Sequence, residues 1–326
     1  MTTGPENFAV AAWVGDDLVP TVRHMLDARL LECTHLGGEG PAIRALAAEQ
    51  DVPFLDDARS LARADATATV IMDPSRTLST EVLQSMMRAT ADAERPLLSM
   101  TPRPGLDHDQ LLEASDVFTA GPPPTPMPTF RAIPAGRRLL EAAEAFGPVN
   151  AATIEISGPK MNGVLGTRLF DAFDLLSCWF GVPATVQAVP VRSSAPTKSR
   201  PDRIFAIVGY PDGRTASIVT GADGGRSHRA ATLHGEAGRL HSCNGAVDWS
   251  DRDGVQLELE PWKPSTPDDF PNELSDAIHA TVTGLVPPQT LETRIRLLAA
   301  CETTFLSART GGRESCDSVL QMLGRL

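Results

Sequence analysis

The chain lacks several things that would each have fixed a function class. It has no run of about 18 apolar residues, so no membrane-spanning helix is expected. Its N-terminal stretch MTTGPENFAV has no basic region followed by an apolar one, so no secretory leader is expected. Basic charge is scarce: 29 Lys and Arg against 41 Asp and Glu give a formal net charge of −12. Phosphate backbones and anionic membranes both demand a basic face, so nucleic-acid and membrane partners are excluded. The five cysteines (Cys33, Cys178, Cys243, Cys301 and Cys316) are odd in number and show no CxxC spacing. A reducing, cytoplasmic setting is the expectation. His234, His241 and Cys243 are the nearest approach to a metal-ligand set, and no metal site is expected from them.

What is present is an ordinary globular composition over 326 residues, a length that favours two domains. The first third alternates short apolar runs with helical patterns. Strands are expected over residues 8–14, 30–35, 52–55, 68–72, 97–100 and 116–120. Helices are expected over 19–28, 42–50, 57–64 and 81–93. This is the rhythm of βαβ units in a parallel sheet. The segment GPPPTPMP, residues 121–128, then places five prolines in eight residues. Proline cannot join a helix interior or a central strand, so this reads as a stiff connector. The boundary falls here: residues 1–122 form a Rossmann-type domain and 123–326 a second α/β domain. After a helix over 136–146, the second domain shows seven alternating runs, at 149–157, 185–191, 204–210, 215–220, 231–234, 239–243 and 255–259. Turn signals between them, such as PDG at 211–213, favour a large, mostly antiparallel sheet. Helices over 166–180, 272–283 and 291–309 are expected to cover one face. The other face carries apolar residues at alternating positions, exemplified by Ile154 and Ile156 and by Phe205 and Ile207, against polar Thr153, Glu155 and Arg214. An open apolar sheet face implies association.

Four stretches carry a family resemblance: AIRALAAEQDVPFLDDARSLARADATATVIMDP, MNGVLGTRLFDAFDLLSCWFG, LHGEAGRLH and ACETTFLSARTGG. In order and spacing the chain resembles the Gfo/Idh/MocA family of NAD(P)-dependent sugar and polyol oxidoreductases over nearly its whole length. The resemblance implies a glycine-rich turn after the first strand. Here that turn is VGDDLVP, where Gly15 matches the first glycine, Asp17 stands at the second and Pro20 near the third. It implies an acid at the end of the second strand, and here His35 or Gly37 falls there, with Glu39 beyond. Pro74, in the turn after the 68–72 strand, also lies on the implied cofactor side. The family's Glu-Lys-Pro stretch matches Met100-Thr101-Pro102, so Thr101 stands where a lysine would meet substrate and nicotinamide. Its Asp and His, four residues apart on the active-site helix, match Thr167 and Asp171. Residues four apart share a helix face, and Asp171 is the titratable one, or else a helix-face acid paired with Arg168. Lys160 and Arg103 are candidates for the missing positive charge.

Three functions are compatible with these substitutions. The chain is a divergent member without NAD(P) that acts as a binding or partner subunit. Alternatively it is a working NAD(P)-dependent oxidoreductase of a sugar-like or polyol substrate, or a lyase or hydrolase using Asp171. A homodimer, or a heteromer with an active relative, is expected, with a small sugar-like molecule as the possible ligand.

Overall fold

The structure is a computed structural model that describes residues 8–73, 78–102, 121–159, 165–191, 201–222, 227–260 and 270–322. Pro74, Arg103, Lys160 and the strand expected over 116–120 lie outside the described residues. The chain divides into two compact units. The first holds the N-terminal part through 128 and, unexpectedly, Phe270–Leu291; the second holds Thr129–Asp269 and Glu292 onward.

In the first unit six parallel strands lie in the order β3-β2-β1-β4-β5-β6. They are β1 (Ala9–Val14), β2 (Glu32–Gly37), β3 (Phe54–Leu55), β4 (Ala68–Met72), β5 (Leu97–Ser99) and β6 (Thr125–Pro126). The sequence places the reversal of strand order at β1, which is adjacent to both β2 and β4. Ligands of such sheets bind beyond the strand C-termini at that point. The intervening helices are α1 (Val19–Asp27), α2 (Pro41–Glu49), α3 (Ala58–Leu61) and α4 (Thr80–Asp92). Asp57 caps α3 and Ser79 caps α4 through side-chain oxygens, as helix starts require. The proline-rich connector is partly a strand after all. Thr125 and Pro126 pair with Leu98 and Ser99. Proline is tolerated there because β6 is the sheet edge, where one side of the strand needs no donor.

The second unit is built on nine strands in the order β14-β13-β12-β11-β7-β10-β9-β8-β15. These are β7 (Val149–Ser157), β8 (Thr185–Val191), β9 (Arg203–Gly209), β10 (Thr215–Gly221), β11 (His228–Gly235), β12 (Gly238–Cys243), β13 (Ala246–Ser250), β14 (Gln256–Glu260) and β15 (Arg313–Ser315). Every pairing is antiparallel except β7 with β10. One face is covered by α5 (Pro134–Phe146), α6 (Leu165–Phe180) and α8 (Leu291–Thr310); α9 (Cys316–Met322) ends the described chain. Ser307 of α8 accepts the Ala188 amide of β8, which ties helix to sheet.

The third helix expected on this sheet, α7 (Phe270–Val282), belongs to the first unit and packs on α1. Ser275 donates to the Leu30 carbonyl, and the Phe8 and His279 rings lie 5.3 Å apart. Ile154 and Ile156 face the covered side and are fully buried, not on the open face. The open face does carry Phe205, Ile207 and Val189, exposed by 41%, 51% and 57%. Thr153 and Glu155 share that face, and the Thr153 hydroxyl meets that of Ser217 at 2.9 Å. Arg214 is elsewhere: it staples a turn, bonding Asp212 and the carbonyls of Val149 and Trp179.

Candidate functional site

At the C-terminal edge of the first sheet, β1 leads through Gly15 into a single 3-10 turn, Asp16–Leu18, and directly into α1. The Gly15 N–H bonds the Met72 carbonyl at 2.8 Å, and the Leu18 N–H bonds that of Gly15 at 2.9 Å. The Val19 N–H bonds the Asp16 carbonyl. Pro20 in the first turn of α1 has no N–H to give. Leu18 is buried, so the turn is anchored inward, while Asp16 and Asp17 are exposed. Gly15 is the glycine this turn needs. A Cβ there would come within 2.9 Å of the buried Asp73 carboxylate at the end of β4. The Asp73 carboxylate thus lies against Gly15, and Asp16 and Asp17 follow it in the chain.

His35 is not at the tip of β2. It pairs with Ala11 two residues earlier, and its Nδ1 is enclosed in the protein. The strand ends on Gly37, followed by Gly38. The reason is close approach: a Cβ on Gly37 would lie 2.6 Å from the Leu55 carbonyl and 3.0 Å from the Trp13 ring. No acid stands at that tip, and Glu39 is exposed in the loop beyond.

Thr101 follows β5 and is buried. Its N–H donates to Ser99 Oγ at 3.2 Å, and the two hydroxyls lie 3.5 Å apart. The Ser99 hydroxyl thus closes a local turn onto the Thr101 backbone.

In the second unit Thr167 and Asp171 do share a face of α6, one turn apart. Asp171 is 3% exposed. It accepts the Phe130 N–H at 2.5 Å, and Arg229 Nε of β11 lies 3.6 Å from its other oxygen. The pairing expected with Arg168 does not occur. Arg168 points instead to the carbonyls of Gly221 and Pro159, both at 2.6 Å. Burial pushes the Asp171 carboxyl up to about 7, opposed by the Arg229 charge and the Phe130 amide. One turn further on, Asp174 binds Arg131 at 2.6 Å and also faces Arg294 of α8. Burial brings Arg294 down to about 9. Thus α6, an apolar core helix, carries two acids held by guanidinium groups from the Phe130 turn, β11 and α8. Phe130, Arg229, Asp174 and Arg294 were not singled out from the sequence. The available signal was the set of charges inside the apolar runs TRLFDAFDLL and TRIRLLAACETTFL.

On the open sheet face His241 Nδ1 and Thr232 Oγ1 lie 2.9 Å apart, and the imidazole titrates below its usual range through burial and the nearby Arg239. Among the described residues no three His, Cys, Asp or Glu side chains gather in a metal-binding group. No described helix is long and apolar enough to cross a membrane.

No family model and no curated protein matches the sequence. Solved structures do match the fold. An oxidoreductase from Agrobacterium radiobacter, in complex with NAD+, L-tartaric acid and magnesium, superposes with a TM-score of 0.71 at 11% identity, covering 96% of this chain and 100% of the other. For UDP-N-acetylglucosamine 3-dehydrogenase from Acidithiobacillus ferrooxidans the values are 0.68 and 17%, covering 93% and 98%. For scyllo-inositol dehydrogenase from Lactobacillus casei they are 0.69 and 14%, covering 96% and 99%. A parallel six-stranded unit, a nine-stranded open sheet and these neighbours together give the chain the fold of Gfo/Idh/MocA-type oxidoreductases.

Proposed function

We propose that the chain is an oxidoreductase-like binding or partner subunit that neither takes NAD(P) nor transfers hydride. The observation that carries this reading is the turn at Gly15. A dinucleotide rests its diphosphate on backbone N–H groups at that place. Here the N–H groups of Gly15, Leu18 and Val19 are committed to carbonyls. The remaining amides of the turn belong to Asp16 and Asp17, whose carboxylates repel an anion. At the tip of β2, Gly37 offers no acceptor side chain to ribose hydroxyls. These residues do not fit the group.

Asp171 supports the same reading. A carboxyl titrating near neutrality suits proton transfer in principle. This one is enclosed and held by an amide and a guanidinium, as a core ion pair is. What the fold still offers is a scaffold for a small sugar-like ligand and an open sheet face for a second copy or an active relative.

A working sugar or polyol dehydrogenase is the second reading. It is favoured by neighbours whose structures contain NAD+ or NADH. Calorimetric titration with NADH and NADPH separates the two. The expected result is no saturable heat up to millimolar ligand. Saturation in the micromolar range overturns the proposal in favour of the dehydrogenase.

A further inference from the structure

Gly40 is the N-cap of α2, with φ −90° and ψ 160°. Any residue adopts that conformation, and Ser, Asp or Asn would cap the helix better. In this fold, however, the space beside Gly40 is taken by a side chain. A Cβ on Gly40 would lie 1.8 Å from Asp16 Oδ1 and 2.1 Å from both Asp16 Cγ and Oδ2. The whole Asp16 carboxylate is therefore laid against the Gly40 backbone, at the N-terminal end of a nine-residue helix whose own cap supplies no side-chain oxygen. Negative charge is favoured at that end of a helix. The contact bridges the loop after β1 and the loop after β2. In sheets of this order the two loops flank the adenosine half of a dinucleotide.

We infer that Asp16 is a built-in anion that closes the adenosine side of the nucleotide position from within, with Gly40 as the notch that receives it. The inference rests on the reading of the Gly15 turn as unfit for a dinucleotide, and it goes further by naming the group responsible. Asp17, exposed beside it, adds repulsion but makes no such contact.

Two measurements test it. The first is a double-mutant stability cycle with Gly40→Ser and Asp16→Gly, read by urea denaturation. In the wild-type background the new side chain must displace the carboxylate, and the folding constant is expected to gain less than in the variant background. In the Asp16→Gly background the serine hydroxyl caps α2 itself, and the folding constant is expected to rise. The same change in both backgrounds overturns the inference. The second is NADH titration of the wild type and of Asp16→Gly. The variant is expected to bind at least roughly tenfold tighter, a difference of about 1.4 kcal/mol. Equal affinities overturn the inference, and so does an absence of saturation in both, because another group would then block the position. Micromolar binding by the wild type with a further tenfold gain in the variant leaves the closure standing and overturns the proposed function alone.

Discussion

At the edge of the first sheet the unusual side chains are exposed loop acids, Asp16 and Asp17; on α6 they are buried core acids, Asp171 and Asp174. Both places depart from the pattern that the resemblance implies, but by different physical routes. The loop acids are exposed, with Asp16 lying beside the Gly40 backbone. The helix acids are tied to three other elements by charge and hydrogen bonds. A loop can change its ligand chemistry at little expense to the fold. A core helix cannot, because an unpaired buried charge is strongly unfavourable, and every change there must be met by a partner. The same comparison predicts where substitutions will unfold the protein and where they will only alter what it binds.

The sharpest break would come at Asp174. Removing it with Asp174→Ala takes away the acid that binds Arg131 and stabilises the charge of the buried Arg294. A loss of about 3–5 kcal/mol is expected by urea denaturation. A variant as stable as wild type would mean that α6 is not a charge-locked core helix.

The next test is pH. Asp171 titrates at about 7 in the folded protein against 3.8 when unperturbed. Between those values the folded state holds a proton that the unfolded state has released. Its contribution to stability is full below the lower value and is lost as pH rises through the upper one. The loss is on the order of 4 kcal/mol. Other carboxylates titrate in the same window, so the quantity to measure is the difference from Asp171→Asn. That difference should shift against the wild type between about pH 4 and pH 7. A flat difference would place Asp171 in solvent.

A smaller effect is expected in restoring the pattern that the resemblance implies. Thr101→Lys forces a long cation into the buried Ser99 turn and should lower stability by about 1–3 kcal/mol. Combined with Thr167→Asp and Asp171→His, it should produce no polyol-dependent NADH formation, because the loop at Gly15 is unchanged. Turnover by this triple variant would erase the distinction between loop and helix.

The smallest effect on folding belongs to the open sheet face. Phe205→Glu should alter stability by less than about 0.5 kcal/mol, as exposed substitutions do. It should nonetheless halve the mass found by light scattering, if the apolar strip of Val189, Phe205 and Ile207 joins two copies. A wild-type chain that is monomeric at micromolar concentration would rule out an obligate homodimer.

Periodicity made most elements legible. In β9 Ile204, Ala206 and Val208 face in while Phe205 and Ile207 face out, and the sequence alternates accordingly. The parallel sheet, the open sheet and the long helices were all readable this way. Two elements were not: β15 spans three residues, too few to show a period, and β13 buries Val247 and Ser250, which does not alternate. The strand inside the prolines was hidden by its own composition. At the candidate site the position of Asp171 was legible and its partners were not. Arg229 is 58 residues away along the chain, and only the sheet brings it near. The Asp16–Gly40 contact was equally hidden, because a glycine at an ordinary φ looks like any loop residue until the space beside it is seen to be filled.

The return of α7 has a consequence for anyone cutting this molecule apart. The polypeptide finishes its first sheet before residue 129, yet the helix that docks on α1 is not made until residue 270. A fragment ending at Pro128 would emerge with the flank of α1 bare and the Leu30 carbonyl without its serine. Translation must run through the second unit before the first is whole, so the halves cannot be exchanged between proteins as beads on a string. A chimera that carries the N-terminal half into another host must carry residues 270–291 with it.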